Sequence, residues 1–123
     1  MNHSKLIYWI STIFVLLFVG VGSVADLLQI QPIKESFQHI GFPLYMLPFL
    51  GIAKLLGSIA ILIKSKSLLR EWAYAGMVFY FIGANYVHFA VGDGIDKIFI
   101  TILILAFIII SYVYSKKVNT GNV

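Results

Sequence analysis

The chain contains no cysteine. A disulfide framework, a thiol relay, an iron–sulfur cluster and a thiolate zinc site are therefore excluded, and the redox compartment leaves no mark on the sequence. Charge is equally scarce. Asp, Glu, Lys and Arg make up 11% of 123 residues, against roughly 25% in an ordinary soluble domain. Disorder, which needs high charge with low hydrophobicity, is excluded by the same count. Only three histidines occur, and of these only His88 falls inside an apolar run, with His3 and His39 outside. No bis-histidine haem pair exists, and no metal site is read from so sparse a set. A glycine-rich phosphate loop, a nucleophile elbow and paired carboxylates inside the apolar runs are also missing.

What is abundant is apolar side chain: 60% of the residues are drawn from AVILMFWYC, and the mean hydropathy is +0.95. A soluble monomer of this size could not hide that much apolar surface in one core. The length allows a single domain, 1–123. Four apolar segments stand out, at 6–25, 43–63, 72–91 and 98–114. At about 1.5 Å per residue, 20 residues cross roughly 30 Å of hydrocarbon. The last segment is rich in isoleucine and would read as strand in water, but in lipid an isolated run must satisfy its backbone internally, as a helix. Ser23-Val24-Ala25 resembles a signal-peptide cleavage site, yet the run before it exceeds the usual ~7–15 residues, which favours a retained helix. The expected fold is all-α: an integral membrane bundle of four transmembrane helices.

The net charge of +4 is placed between the apolar runs, so no nucleic-acid partner is read from it. Lys5, Lys64, Lys66, Arg70, Lys116 and Lys117 fall on one side, Lys34 and Lys97 on the other. The positive side is cytoplasmic, which places both termini inside and 26–47 outside, in a multi-pass protein of the cell (inner or plasma) membrane. Tyr8, Trp9, Trp72, Tyr74, Tyr112 and Tyr114 would form an aromatic belt at the inner interface. In the long outer connection, Gln31-Pro32 begins a helix, Ile33, Phe37 and Ile40 recur at helical spacing, and Gly41 ends it. This predicts a short amphipathic helix on the outer surface. The second span starts at Pro48, after Phe42–Leu47 in the interface.

Lys54 lies inside that second span, where a lysine needs a partner, a wet cavity or a route to snorkel. Asn85 and His88 share one face of the third span at about the same depth. With Asp26 and Asp93 on the same side, these residues form a candidate ligand pocket in the outer leaflet. The alternative is that Asn85 and His88 are interhelical hydrogen-bond glue. Helix packing is expected at Gly51, Ala53 and Gly57, and along Gly76, Gly83 and Ala90, which recur every seven residues.

Gly41-Phe42-Pro43, then Leu47-Pro48-Phe49-Leu50-Gly51-Ile52-Ala53-Lys54-Leu55-Leu56-Gly57, and later His88-Phe89-Ala90-Val91-Gly92-Asp93, resemble the DoxX-like family of small four-helix membrane proteins. Arg70–Gly76 also matches, and the likeness runs from Tyr8 to Tyr114. The resemblance implies a four-helix bundle and little about activity. The family takes its name from a small subunit of a thiosulfate:quinone oxidoreductase, and other relatives look like partners of redox proteins. Lys54, His88 and Asp93 match family positions. Two functions from different classes are therefore carried forward. One is a non-catalytic accessory or assembly subunit of a bacterial membrane complex, bound to a membrane-protein partner or to its own copies, with no cofactor required. The other is a quinone- or lipid-binding component of a membrane oxidoreductase. A small-molecule transporter is less well supported, because no acid lies within the first span.

Overall fold

A computed structural model describes residues 3–63 and 66–121, with side chains through Val118. Lys64, counted above on the inner side, lies outside the described residues. Among the described residues there are five helices: α1 His3–Leu28, α2 Gln31–Ile40, α3 Met46–Ala60, α4 Ser67–Ala90 and α5 Ile95–Gly121. Two of them, over His3–Leu28 and Ile95–Val118, are long and apolar enough to cross a membrane. The chain is therefore all-α, as composition demands of an apolar chain that must satisfy its own backbone.

Paired contacts give the directions. Thr12 meets Ser111 and Phe14 stacks on Phe107, so α1 and α5 are antiparallel. Tyr74 with Ser111 and Asn85 with Thr101 make α4 and α5 antiparallel as well. Asp26 against Lys54, with Gly20 beside Ser58, does the same for α1 and α3. The inner half of α1 packs on α5 and its outer half on α3, while α3 and α4 touch more sparingly. The core is Val15, Val19, Ile61, Tyr74, Met77, Phe81, Ile104 and Ile108.

Inside α1, residues Leu16–Gly20 form one turn of π-helix. The buried stripe of α1 is Tyr8, Ser11, Thr12, Val15, Val19, Ser23 and Asp26. Eight α-helical residues, from Val15 to Ser23, would overshoot two turns by roughly 80°. The wide turn takes up the extra residue, so Ser23 and Asp26 stay on the inner face.

Helix α2 spans the predicted stretch. Phe37 is buried and meets Phe42 edge-on, and Gly41 closes the helix at φ 82°. Helix α3 starts at Met46, not Pro48. The turn Pro43–Tyr45 leads into it through Met46 N–H to Pro43 O, and proline is tolerated in a first turn whose amides have no helical partner anyway. At 15 residues, α3 is about 22 Å long. Tyr8 and Tyr74, expected at the interface, are 3% and 2% exposed. Both belong to the core, Tyr74 with its hydroxyl 2.7 Å from Ser111 Oγ, and Trp9 and Trp72 remain exposed.

Candidate functional site

Lys54 sits on the third turn of α3, and the Asp26 carboxylate comes from the last turn of α1. Lys54 Nζ lies 2.9 Å from Asp26 Oδ2, with the lysine side chain 16% exposed and the aspartate 2%. The contact is an ion pair rather than an aligned hydrogen bond, and Oδ2 has no hydrogen-bond partner of its own. The ammonium also stands 5.0 Å from the centre of the Tyr80 ring, a cation–π distance. Close helix approach makes this possible. A Cβ on Gly51 would stand 2.8 Å from Leu27 Cγ and 3.1 Å from Leu27 N, and one on Gly22 would meet Lys54 Nζ at 3.9 Å. Lysine thus points into the bundle, with small residues on both sides of its path.

Below the pair, a cavity of about 360 Å³ runs between α3 and α4, with Val19 of α1 at its floor. Leu50, Lys54 and Tyr80 stand toward one end, Leu69 and Trp72 toward the other, and Gly57 and Met77 line the way. From Tyr80 to Trp72 is eight helical residues, about 12 Å. The wall is almost wholly apolar. It opens to the outside of the bundle, where Leu56 is 61% and Trp72 72% exposed.

The other candidate residues fall into two separate groups. Asn85 Nδ2 donates to Phe81 O at 3.1 Å, and Thr101 Oγ1 donates to Asn85 Oδ1, tying α4 to α5. His88 Nδ1 donates to Asp93 Oδ2 at 2.5 Å, and His39 Nε2 donates to Asp93 Oδ1. That carboxylate therefore binds α2 to the α4–α5 turn. Hydrogen bonds from His88 and then His39 hold Asp93 below the usual carboxylate range. The single pocket expected for Lys54, Asn85, His88, Asp26 and Asp93 is thus divided: Asp26 and Lys54 share a contact, whereas Asn85, His88 and Asp93 are engaged elsewhere. Equal depth along two helices does not fix the side on which each residue projects.

The glycine expectations divide in the same way. Gly51 is buried at the α1–α3 contact, and a Cβ on Gly57 would touch Met77 at 3.4 Å. Gly76 and Gly83, by contrast, have nothing within 4 Å of a built Cβ, and they are exposed together with Ala53 and Ala90. That heptad touches no other helix of the chain: Gly76 borders the open α3–α4 cavity, and Gly83 and Ala90 continue its line along the exposed face.

Two features carry no sequence signal strong enough to single them out. Tyr80 lies mid-helix, far from the chain-end tyrosines, and a mid-span tyrosine needs a polar neighbour; that isolation was its only mark. The second is a hydroxyl network at the inner end. Thr12 Oγ1 and Tyr74 OH each lie 2.7 Å from Ser111 Oγ, and all three residues are buried. Lone serines and threonines in apolar runs are too common to stand out.

The family model described as the DoxX-like family matches residues 10–111. No curated protein and no solved structure matches the chain. The match covers α1 from Ile10, all of α2, α3 and α4, and α5 as far as Ser111. The chain belongs to the DoxX-like family.

Proposed function

We propose that this is a four-span protein of the bacterial cell membrane, both termini cytoplasmic, whose α3–α4 groove holds one neutral amphiphile, a lipid or a quinone. In this reading it serves a membrane complex as an accessory subunit and not as a catalyst. The observation that carries the reading is the groove itself, a slot of about 360 Å³ with an ammonium at one end. The chemistry of that end favours a neutral head. Lys54 is already balanced by Asp26, so a phosphate would gain little and would face the carboxylate. A carbonyl, from a quinone ring or a lipid ester, needs only a donor. The apolar slot below suits an isoprenoid or acyl tail.

Four spans are supported by the antiparallel pairing and by the 24 residues of α4. The shorter α3 would be accommodated by local bilayer thinning. The lysine and arginine distribution supports the orientation. A reporter fused after Val123 should work only as a cytoplasmic one.

To test the groove, the full chain is purified in mild detergent and its native mass and extract are analysed. One retained amphiphile per chain is expected. Gly76→Leu, which fills the slot without touching the ion pair, should reduce it at least tenfold. A chain that carries no amphiphile, or a variant that retains it fully, would dismiss the groove.

An accessory role has its own support on α4. Trp72, Phe79 and Tyr86 recur every seven residues, each 72% exposed, beside the open Gly76–Gly83–Ala90 stripe. A bulky ridge along a small-residue furrow suits a second helix in the membrane, from a partner subunit or another copy of the chain.

A further inference from the structure

The α3–α4 groove is covered where its cation stands and open along its flank. Building on that groove as an amphiphile site, we propose that its occupant is a single apolar chain ended by one neutral carbonyl. It carries no headgroup, and glycerolipids are excluded.

Depth is the first reason. Lys54 is the ninth residue of α3, so it lies about 12 Å from the start of that helix, well below headgroup level. A glycerolipid carries its ester carbonyls directly beneath a polar headgroup. With such an ester at Lys54, the headgroup would stand in hydrocarbon, where unsatisfied polar groups are costly. The way outward between α1 and α3 is shut. Gly51 packs so closely on Leu27 that an added Cβ would fall 2.8 Å from Leu27 Cγ and 3.1 Å from Leu27 N, and Asp26 is 1% exposed.

Size and lining narrow the class further. At about 360 Å³ the slot stands near the lower end of the roughly 300–1,000 Å³ that ligand pockets enclose, room for one chain and not two. Among the described residues that line it, only Lys54 is charged. An ammonium donates and never accepts, which matches a carbonyl oxygen, and the Asp26 carboxylate leaves no net charge for an anionic head. The flank opens past Leu56 and Trp72, toward acyl chains in a spanning protein. A molecule without a headgroup dissolves among those chains and reaches the opening sideways.

The experiment uses the full chain in mild detergent with methyl palmitate, dipalmitoylglycerol or dipalmitoylphosphatidylcholine at matched concentration, read by native mass. The three share the palmitoyl ester and differ in the second chain and the headgroup. Methyl palmitate should be retained at one per chain, at least tenfold over either diacyl lipid. Gly76→Leu should reduce that retention at least tenfold. Asp26→Leu combined with Lys54→Met, which removes the donor and strands no charge, should reduce it severalfold. A diacyl lipid held as firmly as methyl palmitate would overturn the single-chain assignment; its loss in Gly76→Leu would show that the groove itself stands. Unchanged retention in the double variant would overturn the carbonyl assignment. Methyl palmitate held equally by the parent chain and Gly76→Leu, or by neither, would overturn the groove and its occupant together.

Discussion

Replacing Lys54 with methionine removes the cation that faces Asp26 and keeps the volume of the stem. The carboxylate left behind is 1% exposed, and its Oδ2 has no hydrogen bond to fall back on. Removing one member of a buried ion pair typically costs about 3–5 kcal/mol, and loss of the Tyr80 contact adds roughly 0.5–2 kcal/mol. At about 1.4 kcal/mol per decade, the unfolding equilibrium should move by at least two orders of magnitude. The pair as a whole contributes far less, because its desolvation offsets its attraction. Asp26→Leu combined with Lys54→Met should therefore recover most of the loss, and Asp26→Leu alone should be damaging because it strands the ammonium. Reversible unfolding in mixed micelles of dodecyl sulfate and mild detergent, run on the four proteins as a double-mutant cycle, measures the coupling. A loss under about 1 kcal/mol for Lys54→Met would refute the reasoning, because it would mean that Lys54 reaches water without Asp26. So would a double variant as unstable as the two single losses added together.

Gly51→Ala should destabilise by about 1–3 kcal/mol, since its Cβ would press on Leu27 side chain and backbone alike. Gly83→Ala should leave the monomer unchanged, and the same micelle titration compares the two. Tyr74→Phe, which deletes one partner of Ser111, should cost about 0.6 kcal/mol, the usual scale for interhelical hydrogen bonds in bilayers. The Asp93 tie should depend on pH. Because its carboxyl is held below the usual range, the contribution is complete above about pH 4 and is lost as pH falls through the lowered value. Asp93→Asn at pH 7 should reproduce the acid state, with faster amide exchange across α2 than in the parent chain at the same pH. Unchanged exchange would show that Asp93 does not hold that helix.

Much of this architecture is legible in the residues because the bilayer leaves few alternatives. Helices α1, α3, α4 and α5 follow from apolar runs that must satisfy their own backbone. Proline at the second position of α2 and Gly41 at its end mark that helix within a residue. Lys54 draws attention for the same reason: a charge inside an apolar run needs an answer. What sequence spacing does not carry is azimuth between helices. Asn85 and His88 share a face, yet Thr101 and Asp93 claim them, and no pattern on α4 alone reveals partners on α5 and in the following turn. The Gly76–Gly83–Ala90 repeat is visible as a stripe, but whether it points inward or outward depends on which face of α4 the core residues Tyr74, Met77 and Phe81 occupy. Proline spacing places the start of α3 two residues late, because Pro48 occupies the first turn rather than bounding it.

The wide turn at Leu16–Gly20 gives α1 a clutch. On its inner side the helix is engaged with α5 through Thr12 and Ser111; on its outer side it is engaged with α3 through Asp26 and Lys54. Loss of one residue within those five would leave seven helical steps from Val15 to Ser23, within about 20° of two turns, and keep Asp26 engaged, whereas one further residue there would rotate everything beyond by about 100°, disengaging Asp26 while Thr12 held its place. The two ends of the bundle can therefore be retuned independently. Selection for a different occupant at Lys54 need not disturb the hydroxyl core at the inner end, and an insertion or deletion between them has one turn of helix in which to act.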